Sequence, residues 1–202
     1  MKVTFFDTET TGLVQSYKRP DRDRVIELYM VQYEYDGKDF KFIKEFESLF
    51  KVDKSIPLNV SKINNIYDKD LEKCKKFDYY LDDILAFSDT DIWIGQNVFF
   101  DVNMLEIELL NCGKHFHNLF IDCVICDTLV LKKVMNGGSA KQSALWEHYF
   151  PDREMYNAHR AKDDVLALVE ITKAAIEAGD IAIENAVRKF AKINNKVEVK
   201  ND

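Results

Sequence analysis

The chain opens with runs of apolar, β-prone residues separated by polar turns, a pattern that predicts strands. Residues 3–6 form the first run, which ends at the polar segment 7–12, and residues 25–35 form a longer one. The Asp36-Gly37 pair is a strong hairpin signal, so residues 40–50 are predicted to return antiparallel to the second strand. The start of the chain therefore predicts a meander of three strands.

The rest of the chain alternates helical and strand patterns. Apolar residues recur at spacings of three and four over residues 98–110 and again over residues 165–176, which predicts two helices with one apolar face each. Further predicted elements are short helical turns within residues 56–71, a helix over 79–87, strands over 92–95 and 120–126, and a short helix over 143–150. This order of elements predicts an α/β fold with a mixed five-stranded sheet flanked by helices.

The composition is that of a chain able to bury one core. It has 202 residues, 47% of them hydrophobic, which predicts one domain over residues 1–180 with residues 181–202 as a basic helical extension of that domain. The lysines of the extension are either solvated or in contact with nucleic acid or a partner. The sequence leaves the oligomeric state open.

The excess of acidic residues limits the kinds of molecule that the protein is expected to bind. A formal net charge of −7 argues against nonspecific coating of a nucleic-acid duplex, which depends on many lysine and arginine contacts to phosphate. An acidic protein can still bind phosphate where divalent cations reverse the sign of the local field. The N-terminus lacks the apolar region of a secretory signal, and no run approaches the roughly 20 apolar residues that span a bilayer, so we expect a cytoplasmic protein without a membrane partner. We expect its four cysteines to be reduced.

Two acidic segments carry candidate metal chemistry. Asp7 and Glu9 lie two apart in an extended run, so both carboxylates emerge on one face of the predicted sheet and suit one divalent ion. A solvated strand end would give the same pattern. Asp101 follows Asn97 in the first turn of a predicted helix, where an acidic residue also suits the helix dipole. Taken singly, each segment is weak support for a metal site.

A third segment combines an imidazole with a carboxylate. His159 precedes Asp164 by five residues at the start of the last amphipathic helix. Asp164 stands directly before the apolar stripe and is turned toward the predicted sheet, whereas Asp163 is directed toward solvent. The spacing makes His159 and Asp164 candidates for one site.

Together these segments resemble the three motifs of the DEDDh superfamily of 3′–5′ exonucleases, which includes the proofreading exonucleases of bacterial replicative DNA polymerases and ribonuclease T-like enzymes. Residues 5–13 (FFDTETTGL) resemble the first motif, residues 97–101 (NVFFD) the second, and His159-x-Ala161-x-x-Asp164 the third, in the family's order. Residues 25–28 and 121–129 resemble further family segments. The resemblance covers most of the chain.

The resemblance implies a ribonuclease H-like fold and two divalent cations, Mg²⁺ or Mn²⁺, that hold the attacking and leaving oxygens of a phosphodiester. It implies that Asp7 bridges the ions, that Glu9 and Asp164 complete one site, and that Asp101 supports the second, partly through water. His159 would be the general base, since an imidazole titrates near neutral pH. The substrate-binding positions that the motifs imply are Thr8, Thr10, Thr11, Gly12, Leu13 and Asn97.

The expected activity is removal of nucleoside 5′-monophosphates from the 3′ end of single-stranded DNA, in proofreading or repair, with a DNA polymerase as a further candidate partner. Trimming of RNA 3′ ends is an alternative, because no residue identifies a sensor for the 2′-hydroxyl. A catalytically silent nucleic-acid-binding or polymerase-interaction module is another. The five catalytic positions are all present, which favours an enzyme.

Two departures from the family pattern leave substrate preference open. Gln96 precedes Asn97 where many family members carry histidine, and Asn64-Asn65 stands where a His-Gly pair often appears. Asp127 is a further carboxylate near the fifth strand, and we interpret it as a helix cap or a support for the site.

Overall fold

The computed structural model describes residues 1–13, 22–135, 140–155 and 159–183. Five strands form one mixed sheet in the order β3-β2-β1-β4-β5. Strands β1, β2 and β3 pair antiparallel, and β4 and β5 continue the sheet parallel to β1. The strands are β1 (Lys2–Thr10), β2 (Val25–Tyr35), β3 (Phe40–Leu49), β4 (Ile92–Gly95) and β5 (Val124–Asp127). The predicted mixed five-stranded sheet with flanking helices is confirmed.

Six α-helices accompany the sheet in the described part of the chain. They are α1 (Leu58–Asn64), α2 (Asp68–Leu71), α3 (Leu81–Leu85), α4 (Phe99–Asn111), α5 (Gln142–Tyr149) and α6 (Ala161–Glu177). The predicted helices over 98–110, 143–150 and 165–176 are confirmed as α4, α5 and α6. The predicted helix over 79–87 is wrong in type at both ends, because only α3 is α-helical and 3₁₀ turns flank it at Phe77–Tyr80 and Ala86–Ser88.

Two strand boundaries differ from prediction. Strand β1 does not stop at Phe6 but runs to Thr10, because it pairs with β2 along its whole length. Strand β5 begins at Val124 rather than at Phe120, since its pairing partner β4 is only four residues long. Phe120 instead lies in a loop and packs into the core beside Trp93, with ring centroids 4.8 Å apart. These differences arise from pairing across the sheet.

The alternation of side chains along β1 divides the core into two layers. Val3 and Phe5 pack on one face with Val165 and Leu168 of α6. Phe6 points to the other face and packs in the cluster that contains the apolar residues of α4. Continuing the same alternation, Asp7 and Glu9 lie on the α6 face of the sheet, and Thr8 lies on the α4 face.

Three further expectations concern the cysteines, membrane-spanning helices and the C-terminal extension. Cys74, Cys112, Cys123 and Cys126 are free thiols, as expected. Within the described ranges, no helix is long and apolar enough to cross a membrane. Most of the expected basic extension, residues 184–202, lies outside the described part of the chain.

Candidate active site

Three carboxylates converge where β1 meets the start of α6. Asp7, Glu9 and Asp164 each offer one oxygen, and these oxygens all lie within 4.8 Å of one another. The strand period of two places Asp7 and Glu9 on the face that α6 covers, and Asp164 lies in the first turn of α6. Asp163, the neighbouring carboxylate, is outside the group, in keeping with its predicted direction. The arrangement is an all-oxygen donor set that can hold a divalent cation.

Burial and mutual repulsion raise the pKa values of the carboxyls in this group. Burial raises the pKa of Asp7 well above its ordinary value, and the nearby Asp101 and Glu9 raise it further. Burial and the charges of Asp164 and Glu27 raise the pKa of Glu9 to about 8. Burial also raises the pKa of Asp164, while the hydrogen bond from the backbone of His159 lowers it. A bound cation would relieve the repulsion that produces these shifts.

Asp101 stands beside the group at the start of α4. Its carboxylate is 3% exposed and accepts hydrogen bonds from the backbone N–H and the hydroxyl of Thr8, at 3.0 and 2.5 Å. Burial raises the pKa of Asp101 to about 7, although the bonds from Thr8 oppose that rise. Asp101 is not among the three residues whose oxygens converge. Thr8, a predicted substrate contact, is buried and directs both donors at Asp101 in this structure.

His159 lies next to the carboxylates through its backbone. Its N–H donates to Oδ2 of Asp164 at 2.9 Å. The residue is exposed and has φ 73°, a left-handed conformation that is uncommon for residues other than glycine. The structure thus brings His159 to the site that the sequence predicts. Its part in the reaction stays a prediction.

The turn after β1 is fixed by contacts from the start of β2. Thr11 donates its hydroxyl to Asp23 at 2.8 Å, and Thr10 donates to the carbonyl of Gly12 at 2.7 Å. A Cβ on Gly12 would lie 2.5 Å from Oδ2 of Asp23, so this close approach requires glycine. Leu13 follows with 81% of its surface exposed. The end of β1 therefore leads directly to an apolar side chain that is exposed to solvent.

The segment after β4 is fixed by β5. Asn97 is exposed, has φ 54°, and donates its N–H to Oδ1 of Asp127 at 3.0 Å. Asp127 also accepts the N–H of Leu129 at 2.9 Å and caps the 3₁₀ turn that follows, as predicted. Gln96, which replaces the histidine of many family members, donates to the carbonyl of Ala140 at 2.7 Å. Gln96 here joins two segments of the fold.

Asn64 and Glu27 both affect the pKa of Glu9, and the sequence alone assigned neither of them a role in the site. Asn64, buried at the end of α1, lies close enough to Glu9 to lower the pKa of that carboxyl, although its amide nitrogen makes no hydrogen bond of normal geometry. Asn65 follows with φ 56°, the left-handed region that glycine favours, which matches the glycine often found there in the family pattern. Glu27 lies directly across from Glu9 in the β1–β2 register and is 1% exposed. The only indication in the sequence was that Glu27 lies within residues 25–28, which resemble a family segment.

The raised pKa values predict how the metal-free protein responds to pH. In EDTA, stability is expected to fall by about 1 kcal/mol or more between about pH 5 and pH 9. The folded site keeps protons on Glu9 up to a pKa of about 8, whereas the unfolded chain releases them near 4.5, so the stabilisation is complete below the lower value and lost as pH rises through the higher one. Thermal unfolding in EDTA measures the trend, and saturating Mn²⁺ should reduce it. A rise in stability with pH over this window would contradict the electrostatic description.

Comparison with known proteins identifies the family. The family described as RNase_T exonuclease matches residues 4–172. The chain is 30% identical over 170 residues to the DNA polymerase III subunit epsilon of Treponema pallidum (strain Nichols), covering 83% of this chain and 73% of that protein. It is 26% identical to the PolC-type DNA polymerase III of Clostridium perfringens (strain 13 / Type A), covering 83% of this chain but only 11% of that much longer protein.

Solved structures share the fold at lower sequence identity. Exonuclease X, in complex with 5′ overhanging duplex DNA, matches with a TM-score of 0.63 and 16% identity, covering 92% of this chain and 98% of the other. Exonuclease I of E. coli, in complex with a deoxythymidine oligonucleotide, matches with a TM-score of 0.71 and 17% identity, covering 86% of this chain and 40% of the other. The family match, the epsilon relative and the order of the three acidic motifs agree: this chain belongs to the DEDD-type 3′–5′ exonuclease family and is a nuclease.

Proposed function

We propose that the protein removes nucleoside 5′-monophosphates from the 3′ end of single-stranded DNA with the help of two divalent cations, Mg²⁺ or Mn²⁺. The observation that carries this proposal is the convergence of the Asp7, Glu9 and Asp164 oxygens within 4.8 Å. Family membership, which rests on a match over residues 4–172, supplies the reaction class. The catalytic domain that we propose comprises residues 1–180.

The donor set fits hard divalent cations. Asp7, Glu9 and Asp164 would hold one ion, with Asp7 shared and Asp101 supporting a second. Such cations supply charge neutralisation at the scissile phosphate. Thr8 supports this function by holding the Asp101 carboxylate in place through two hydrogen bonds. The three convergent residues provide only oxygen atoms, which suit Mg²⁺ and Mn²⁺ better than softer metals.

His159 is the residue we propose as general base. It is exposed beside Asp164, and its backbone bond to that carboxylate fixes the position from which the side chain extends. An imidazole in its neutral form can take the proton of the attacking water near neutral pH. The proton then leaves to bulk solvent, which an exposed ring reaches directly.

Exposed apolar side chains next to the carboxylates are the proposed contacts for the terminal nucleotides. Leu13 lies just after β1 and is 81% exposed, and Phe99, two residues before Asp101, is 56% exposed. The ring of Phe99 can stack on a base, which binds single strands without a sequence requirement, and Leu13 can place an apolar wedge against the terminal base. Thr8, Thr10, Thr11, Gly12 and Asn97 stay predicted contacts, through backbone groups or after rearrangement of the turn.

DNA is the proposed substrate, and a DNA polymerase is the proposed partner. The relative from Treponema pallidum is a subunit of DNA polymerase III, and it resembles this chain over most of both lengths. The structures of exonuclease X and exonuclease I compared above are complexes with DNA. These observations support proofreading beside a polymerase, and they do not favour an RNA-trimming role.

The deciding experiment compares single-stranded DNA and RNA of one sequence, labelled at the 3′ or the 5′ end, with Mg²⁺, Mn²⁺ or EDTA. We expect immediate loss of the 3′ label as mononucleotide, progressive shortening of 5′-labelled DNA, and no reaction in EDTA. If RNA were degraded faster than DNA of the same sequence, RNA would be the preferred substrate. Release of the 5′ label first, or undiminished activity in EDTA, would defeat the proposal.

A further inference from the structure

We infer that Glu27 is a positioning residue for the active site, acting through Arg160 to fix the segment that carries His159 and Asp164. The inference rests on the proposed function for its activity readout. Glu27 belongs to β2, and its side chain lies on the same face of the sheet as Glu9, its partner in the strand register. It is therefore a further carboxylate beside the group of Asp7, Glu9 and Asp164.

The oxygens of Glu27 are committed to the start of α6. Oε1 accepts from Nη2 of Arg160 at 2.5 Å, and Nε of Arg160 lies 3.1 Å from both carboxylate oxygens. Oε2 also accepts the backbone N–H of Ala161 at 3.0 Å. Glu27 is 1% exposed, so the fork of Arg160 balances a charge that burial would otherwise disfavour. The pairing holds Glu27 as an anchor and keeps it out of the cation-binding group.

The start of α6 depends on Glu27 because the residue at the N-cap of the helix provides no hydrogen-bond acceptor for the first N–H groups. Arg160 stands at the N-cap, and its side chain makes no capping hydrogen bond to the helix. The first N–H groups of a helix need acceptors from elsewhere, and an anionic acceptor there also suits the helix dipole. Glu27 supplies that acceptor from the neighbouring strand, 134 residues away in sequence.

Hydrogen bonds hold the three consecutive residues 159–161 next to the proposed cation site. His159 donates its N–H to Asp164, Arg160 pairs with Glu27 through its side chain, and Ala161 donates its N–H to Glu27. His159 has φ 73°, in the left-handed region that is uncommon for residues other than glycine. Release of Arg160 and Ala161 would let His159 relax and would change the approach of Asp164 to Asp7 and Glu9.

A matched pair of substitutions tests the inference. Glu27→Gln keeps the shape of the anchor and removes its charge, whereas Glu47→Gln removes the partner of Lys162 on the same turn of α6. The Lys162–Glu47 pair has a distance of 2.6 Å, and both side chains are substantially exposed, so its loss leaves the anchor intact. For Glu27→Gln we expect kcat to fall about 10- to 100-fold, KM to stay within about twofold, and the Kd for Mn²⁺ to rise. For Glu47→Gln we expect all three to stay within about twofold.

The measurements separate positioning from folding. All variants are assayed well below their unfolding temperatures, and circular dichroism verifies that they are folded. A folded Glu27→Gln protein with parental kcat and parental Mn²⁺ affinity would overturn the inference and leave Glu27 with a purely structural role. If Glu27→Gln does not fold, Arg160→Lys decides the matter: it keeps the charge but loses the fork, and we expect a smaller loss of kcat in the same direction. Parental kcat in that variant would equally overturn the inference.

The Mn²⁺ measurement also distinguishes this inference from the proposed function. If the parent protein degrades no nucleic acid, the proposed function fails. The comparison of Mn²⁺ affinities between Glu27→Gln and Glu47→Gln still tests whether Glu27 holds Asp164 in place. A weaker affinity in Glu27→Gln alone would support the anchor in that case, and equal affinities would reject it.

Discussion

Asp7→Asn is expected to reduce turnover by about a thousandfold and to stabilise the metal-free protein at the same time. Asp7 is one of the three convergent carboxylates, and the cations that we propose it helps to hold would be worth several kcal/mol to the transition state, about 1.4 kcal/mol for each factor of ten. Without cations, the carboxylate of Asp7 is expected to destabilise the folded protein. Burial and the charges of Asp101 and Glu9 disfavour ionised Asp7, so a neutral side chain of the same shape removes that cost.

The two effects have opposite signs, which distinguishes a metal ligand from a residue needed for folding. Turnover, Mn²⁺ affinity and urea unfolding in EDTA at pH 8 measure them separately. Asp163→Asn is the control, since it removes a carboxylate from the same turn of α6 outside the convergent group. An Asp7→Asn protein that is less stable in EDTA, or that keeps its Mn²⁺ affinity, would contradict the assignment.

The local part of the site could be predicted from the sequence because it follows from short-range geometry. A strand period of two places Asp7 and Glu9 on one face, and a helix that begins just before Asp164 turns that residue toward the sheet. The predicted segments of β2, α4 and α6 match the structure closely because their apolar patterns extend over long elements of 11, 13 and 17 residues. The shorter predicted helix over 143–150 also matches α5. For these elements, local sequence and tertiary packing favour the same structure.

The parts that sequence could not predict depend on pairing between distant segments. Nothing in the residues around Glu27 indicates that Arg160 will arrive beside it, since the contact requires β2 and α6 to dock. The bond between Thr8 and Asp101 likewise exists only after α4 packs against β1. The late start of β5 follows from the four-residue length of β4. The sequence motifs indicate the candidate ligands, and the structure adds the residues that contact them.

His159→Ala is expected to lower turnover by about a hundredfold or more while leaving Mn²⁺ binding intact. The bond that joins His159 to Asp164 comes from the backbone N–H, which alanine retains, and the imidazole is not part of the convergent group. The loss should therefore appear in kcat. This result would differ from that of Asp7→Asn, in which metal affinity and turnover fall together.

The left-handed backbone of His159 calls for a second substitution. Alanine is strained at φ 73°, whereas asparagine adopts this region more readily, so His159→Asn tests the imidazole without the same backbone cost. His148→Ala is the control, because His148 is an exposed histidine on α5 that packs against Tyr149, and its removal should leave turnover unchanged. If His159→Asn and His159→Ala both kept parental kcat across neutral pH, the proton would have another acceptor. If only His159→Ala lost activity, the histidine would matter for the shape of the chain and not for its imidazole.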